Sequence, residues 1–186
     1  FFKQSYRIPD YIFTDKQNGI ARMAHLTFER AIALLEYDCL TGIFRWRVDH
    51  NKMKAGDIAG GFGAGGYWMI GVDGGRYYGH RLAWLIMAGE WPSGKVDHKD
   101  TDRTNNVWEN LRPATSSQNL MNSVIKSTNK SGFKGVSWAA HCSKWQAHIR
   151  IDGRSTYLGL YENPADAHAA YAAASREFHG EYGRVA

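Results

Sequence analysis

Apolar positions change period several times along the chain, and each change marks an element. Phe28, Ala31, Ile32, Leu34 and Leu35 recur at helical spacing behind Thr27, which can cap a helix with Arg30 rather than Glu or Gln at the third position. That pattern predicts a short helix ending near Tyr37. Residues 38–42 read as a turn, and Ile43-Phe44-Arg45-Trp46-Arg47-Val48 alternates apolar with basic positions, as a half-exposed strand does. Residues 54–66 hold too much glycine for a helix and read as a loop; no Gly-Lys-Ser/Thr follows to make it a phosphate-binding one. Tyr67-Trp68-Met69-Ile70 and Arg76-Tyr77-Tyr78 form a hairpin across Val72-Asp73-Gly74-Gly75. The run His80-Arg81-Leu82-Ala83-Trp84-Leu85-Ile86-Met87-Ala88 is helical in period and stops at Gly89.

The second half reads as two further units. Residues 95–98 are a short strand, 101–106 a polar turn, 111–115 a second strand and 116–125 a helix. Thr115 or Ser116 caps that helix, with Gln118 or Asn119 three residues on, so Asn119 falls in its first turn. The polar, basic run SVIKSTNKS, residues 123–131, reads as a linker. Three strands are predicted at 133–138, 145–151 and 155–158, with Asp152-Gly153 as a tight turn. Asn163 or Pro164 then opens an alanine-rich helix in which Ala167, Ala170, Tyr171, Ala174 and Phe178 share a face. In the middle strand Trp145, Ala147 and Ile149 alternate with Gln146, His148 and Arg150, so one face packs on the helix and the other is free for a ligand. The fold class is α+β. The expected organisation is an N-terminal helix and hairpins over 23–79, a central unit over 80–125, a linker over 126–131 and a second domain over 132–186.

Composition narrows the partners. With 44% hydrophobic residues the 186-residue chain can bury a core, and no run approaches the roughly 20 apolar residues of a membrane span. The net charge of +5 suits a polyanionic partner, and from Ser123 onward 8 Lys/Arg stand against 5 Asp/Glu. Cys39 and Cys142 lie far apart and outside any CxxC pair, which argues against structural zinc and a disulfide framework and fits a reducing cytoplasm. Residues 1–22 lack the pattern of a signal peptide, and translation is expected to begin at Met23 with an upstream extension before it.

The chemistry concentrates between His80 and Asn122. Asp97 and His98 are adjacent, Asn110 follows the histidine by 12 residues and Asn119 by 21. A helix folded back on the hairpin brings the Asn119 amide oxygen toward the Asp97 carboxylate, and two oxygen ligands with open positions suit Mg²⁺ or Mn²⁺. His98, neutral near pH 7, can take a proton from water. Asn110 is expected to tie the 101–106 loop and hold the His98 backbone. His80, Arg81, Lys99 and Arg112 are candidate phosphate contacts. Asn122 is expected at a solvated helix position, and the pair Asp49-His50 lacks a following asparagine set and reads as a decoy.

The pattern HRLAW, VDHKDTDRTNN and ENLRPATSSQN resembles the HNH nucleases, in the asparagine-ending branch found in phage and homing endonucleases. The resemblance covers about 79–125. It implies a ββα-metal fold and DNA cleavage, with His98 as general base, Asp97 and Asn119 as metal ligands and Asn110 as the middle asparagine. Tyr37 to Trp46 is similar to a motif accompanying phage members, with Cys39-Leu40 where Pro-Glu often stands.

Residues 132–180, with KGV, KWQAHIRIDG, YLGLY and ADAHAAYAAA, resemble the plant ethylene-response-factor (APETALA-two) DNA-binding domain. That resemblance implies a three-stranded antiparallel sheet laid in the major groove with a helix behind. By motif position the contacts fall on Lys134, Ser137, His148, Arg150, Ser155 and Tyr157, several of them different in type from the plant pattern. The combined expectation is a monomeric endonuclease on double-stranded DNA, in the cytoplasm of a bacterial or phage-infected cell, with no membrane or small-molecule partner. The alternatives are a DNA-binding regulator with a vestigial HNH unit and a nuclease directed at RNA.

Overall fold

A computed structural model describes residues 26–185. The expected start at Met23 and the extension over 1–22 lie outside them. Helix α1, Phe28–Leu34, is capped by the Thr27 hydroxyl, which accepts the Arg30 N–H. It ends three residues earlier than the periodicity predicts. Leu35–Tyr37 leaves the helix as strand β1 and pairs antiparallel with β2, Phe44–Trp46, burying Leu35, Phe44 and Trp46 together. Between them the Asp38 carboxylate accepts the Leu40 N–H and the Thr41 hydroxyl, and this turn makes a strand pair the better outlet for an apolar run.

The glycine-rich stretch is more ordered than a loop. Gly61–Phe62 (β3) pairs with β4, Trp68–Val72, and β4 pairs with β5, Gly75–Tyr78. Asp73 and Gly74 both take positive φ, 48° and 78°, the two-residue turn whose twist matches the strands it joins. Helix α2, Gly79–Ala88, ends at Gly89 in the left-handed conformation. An apolar core joins α1, β2, β4 and α2 with Val96 and Leu111 of the next hairpin.

That hairpin is β6, Lys95–His98, against β7, Leu111–Ala114, with Asp97 opposite Arg112 and His98 opposite Leu111. Helix α3, Ser116–Met121, opens on a full capping box between Thr115 and Gln118. It stops four residues short of the predicted end. Asn122 turns inward there, and the Lys134 ammonium donates to the carbonyls of Met121 and Ser123, satisfying acceptors a longer helix would have used itself.

The remaining sheet has the order β10–β9–β8, all antiparallel: Val136–Ala139 (β8), Lys144–Ile151 (β9) and Arg154–Tyr161 (β10), with a bulge between Tyr157 and Gly159. Strand β8 starts later than predicted because Asn129 and Ser131 fold the preceding segment into side-chain-capped turns. Helix α4, Pro164–His179, is capped by Asn163 and packs on β9 and β10, burying Ala167, Tyr171 and Ala174 against Val136, Ala147 and Ile149. Phe178 is exposed rather than on this face; His179 is buried instead, its Nε2 bonded to the Arg150 carbonyl at 2.8 Å. No helix among the described residues is long and apolar enough to cross a membrane.

Candidate functional site

Val96, Asp97 and His98 are all buried, so both faces of β6 are covered and the two reactive side chains look onto different neighbours. His98 meets Asn106, its Nε2 lying 3.2 Å from the amide Oδ1. The Asn106 amide nitrogen donates to the Thr104 carbonyl, which fixes Oδ1 toward the ring. His98 therefore carries its proton on Nε2 and keeps the Nδ1 lone pair free. Burial pushes the His98 pKa below the usual histidine value, against the raising effects of Asn106 and of Asp100, Asp97 and Asp102. The neutral imidazole that a general base needs is the form present at pH 7.

Asn106 is itself tightly held. It is 1% exposed, and its carbonyl accepts the Tyr37 hydroxyl at 2.6 Å. At Gly42, where φ is +72°, a Cβ would stand 2.6 Å from the Asn106 carbonyl carbon, so the β1–β2 turn closes on this residue only as glycine. The three neighbouring elements thus orient the histidine through one amide.

Asp97 looks toward Arg112 and Asn122. Arg112 donates from Nε and Nη2, each at 3.0 Å, and the Asn122 amide donates at 3.0 Å; all three bonds fall on Oδ2. Among the described residues no donor reaches Oδ1. Asn122 also donates to the His98 carbonyl at 2.8 Å and is 3% exposed, which corrects the expectation of a solvated helix position: one turn beyond Asn119, it faces β6. Asn119 is half-buried, and among the described residues its side-chain amide takes part in no hydrogen bond.

The other candidates take varied places. Asn110 donates to the carboxylate of Asp100 and the carbonyl of Asn105 and accepts the Asp100 N–H, tying the loop after β6 into one unit. Lys99 donates to the Glu109 carbonyl at 2.7 Å across the same loop. Arg81 reaches away from the histidines to the carbonyls of Pro92 and Gly94, and Arg112 is buried on Asp97. His80 packs edge-on to His98 with ring centroids 5.0 Å apart. Its buried Nδ1 has no hydrogen-bond partner, and burial, with the charges of His98 and Arg81, pushes its pKa down to about 3. Of the second Asp-His pair, Asp49 pairs with Lys54 and His50 stacks on Trp46, 4.0 Å between centroids.

On the C-terminal sheet, the face away from α4 carries a connected row. Gln146 donates to Ser137 at 3.1 Å, His148 lies 3.4 Å from both Gln146 and Ser155, and the Tyr157 ring stands 5.4 Å from that of His148. Arg150 is exposed opposite Ser155. Five of the six predicted contacts are thereby brought onto one face. Lys134 is not among them: it is half-buried under the linker on the carbonyls of Met121 and Ser123, and this burial draws its pKa down to about 8.

Three residues of the site escaped sequence reasoning. Asn106 stands in the run Thr104-Asn105-Asn106, where only the second asparagine turns inward. Arg112 was legible as basic but not as the partner of Asp97, because the long loop between β6 and β7 hides the register. Tyr182, whose ring stacks on Arg112 at 4.0 Å, lies 70 residues away in sequence and gave no signal.

Residues 77–121 match the family described as HNH endonuclease. The chain is 28% identical over 106 residues to Protein 3.8 of Escherichia phage T7, covering 56% of this chain and 87% of that one. It is also similar to a solved structure described as DNA binding and cleavage by the HNH homing endonuclease I-HmuI, at 21% identity and a TM-score of 0.38, over 78% of this chain and 85% of that one.

Proposed function

We propose that the chain is a metal-dependent DNA endonuclease whose cutting centre is the β6–β7–α3 unit and whose C-terminal sheet binds double-stranded DNA. The observation that carries the reading is His98: buried, held by Asn106 at 3.2 Å, and adjacent to a carboxylate within the segment that matches the HNH endonuclease family.

Hydrolysis of a phosphodiester needs a deprotonated water and neutralisation of charge at the leaving oxygen. His98 serves the first through Nδ1, its ring held by Asn106. For the second, Asp97 through Oδ1 and Asn119 through its amide oxygen would hold a magnesium-type ion, Mg²⁺ or Mn²⁺. That donor set suits the ion: one Asp97 oxygen takes no donor among the described residues, the Asn119 amide is unbonded there, and hard cations accept a partial oxygen set completed by water and phosphate. When bound, the ion supplies the charge neutralisation. His80, packed edge-on to His98 with its buried Nδ1 unpartnered, is the second histidine of the centre.

The sheet face of Ser137, His148, Arg150, Ser155 and Tyr157 is the reader. Its arginine and hydroxyls suit phosphate and base edges, and its tyrosine suits an apolar or stacking contact. The residue types of this face set its own base preference.

An end-labelled duplex, offered as DNA and as RNA with Mg²⁺ or with EDTA, tests the reading. Cleavage of DNA that needs the metal supports it. Cleavage of RNA alone, or of neither with tight DNA binding retained, overturns it.

A further inference from the structure

We infer that the C-terminal turn Gly180–Tyr182 belongs to the cutting centre, with Arg112 and Tyr182 acting as positioning residues for the Asp97 carboxylate. The inference rests on the nuclease reading above and adds to it a contribution from the far end of the chain.

The guanidinium of Arg112 is used on every side. Nε and Nη2 both meet Asp97 Oδ2 at 3.0 Å, and Nη1 donates to the Glu181 carbonyl at 2.8 Å. The flat face lies 4.0 Å from the centroid of Tyr182. Tyr182 is fixed in turn, because its hydroxyl donates at 2.8 Å to the carbonyl of Pro113, the residue after Arg112 on β7. Both side chains of the ion pair are 7% exposed. A buried ion pair holds its geometry only when its remaining donors are satisfied and water is kept out. Here the C-terminal turn does both.

The consequence falls on Asp97. Among the described residues its hydrogen bonds all fall on one oxygen, Oδ2, so turning the carboxylate out of this arrangement breaks three bonds, and the second oxygen is held in a fixed direction. Asn122 contributes one donor from α3, and Arg112 contributes two only as long as its guanidinium stays in plane with the carboxylate. Without the Tyr182 ring and the Glu181 carbonyl, one face and one edge of that guanidinium open to water, and its long side chain gains rotamers. The second oxygen of Asp97 would then lose its fixed direction. Groups that orient a metal-binding carboxylate in this way typically alter metal affinity 10–100-fold when removed.

The same contact changes how the two halves are joined. The linker is flanked by two clamps, Lys134 on the carbonyls of Met121 and Ser123 and Tyr182 on Arg112 and Pro113. The sheet unit is docked on the hairpin, not only tethered to it.

The test uses the full chain as wild type, Tyr182→Ala, Tyr182→Leu and Tyr182→Phe. Mn²⁺ uptake by the DNA-free protein is read from loss of the free-ion electron paramagnetic resonance signal, duplex affinity is read in EDTA, and cleavage is titrated with Mn²⁺. Tyr182→Ala and Tyr182→Leu are expected to weaken Mn²⁺ binding about tenfold and to shift half-maximal cleavage to correspondingly higher Mn²⁺. Their duplex affinity stays within about twofold, and Tyr182→Phe, which keeps the stacking ring but loses the bond to Pro113, recovers most of the wild-type titration. Unchanged Mn²⁺ affinity in a folded Tyr182→Ala or Tyr182→Leu protein overturns the inference. So does loss of folding in both with a normal Tyr182→Phe, which assigns the ring to stability alone. A wild type that neither takes up Mn²⁺ nor cuts DNA fails the nuclease reading itself, a result distinct from either.

Discussion

The Nε2 of His98 and the amide oxygen of Asn106 face each other across 3.2 Å in a site where both residues are buried. The bond holds the ring and its tautomer, so it is predicted to matter more to rate than to substrate binding. Asn106→Ala leaves a buried N–H without its acceptor, a loss of about 1–3 kcal/mol in stability. Cleavage should slow at least about tenfold with duplex affinity intact, since general-base catalysis typically contributes 10²–10⁴-fold and depends on alignment. Urea unfolding and single-turnover cleavage on the same preparation check both parts.

Acid should loosen this end of the molecule. Burial pushes the folded-state pKa of His80 down to about 3 from the usual 6.5, so the unfolded chain takes up a proton below about pH 6.5 that the folded chain refuses. Above that pH both states are neutral and the residue contributes no pH dependence. As pH falls from 6.5 toward 3, stability is lost by at most roughly 1.4 kcal/mol per unit; His98, shifted in the same direction, adds to the slope. His80→Phe removes the titrating group while keeping a ring against His98, and urea midpoints at pH 5 and 7.5 should then differ less than in the wild type. An unchanged difference would remove His80 as the source.

Breaking the ion pair of Asp97 is predicted to be costly in one direction. Arg112→Ala strands a buried carboxylate and should destabilise the chain by about 3–5 kcal/mol. Arg112→Ala combined with Asp97→Asn removes the uncompensated charge and should recover part of that loss. Thermal melts of Arg112→Ala, Asp97→Asn and the double variant at low and high salt give the comparison, and full additivity would contradict the coupling.

Two basic residues of the C-terminal half should separate cleanly. Arg150→Ala is expected to weaken duplex binding and to reduce the slope of log affinity against log salt by about 0.9, the signature of one lost phosphate contact. Lys134→Ala should leave that slope unchanged and lower the melting temperature instead, because its ammonium is spent on the carbonyls of Met121 and Ser123. Equal salt slopes for the two variants would contradict the assignment of the face.

The hairpins, helix starts and the strand–strand–helix unit could be read from the sequence because local chemistry decides them. Thr27, Thr115 and Asn163 cap where side-chain acceptors precede apolar periods, and Asp73-Gly74 turns where positive φ is cheap. The helix ends were less legible: α1 yields to β1 because Phe44 and Trp46, seven or more residues on, supply a better partner for Leu35 than another helical turn. In the site, spacing pointed to Asp97, His98, Asn110 and Asn119 as a set. It could not show that Asn122 reaches Asp97, that Asn106 holds His98, or that Lys134 turns under the linker. Each depends on a contact whose register is set by a long loop or by docking of the C-terminal turn, and neither has a local periodicity.

The most direct measurement is conversion of supercoiled plasmid to nicked or linear form by wild type and by His98→Ala, each with Mg²⁺ and with EDTA. The account predicts conversion by the wild type only with the metal, a drop of about 10²-fold or more in His98→Ala, and equal plasmid retention by both proteins in a gel shift. Plasmid left intact by a folded, DNA-bound wild type, or cut equally well by His98→Ala, would contradict it.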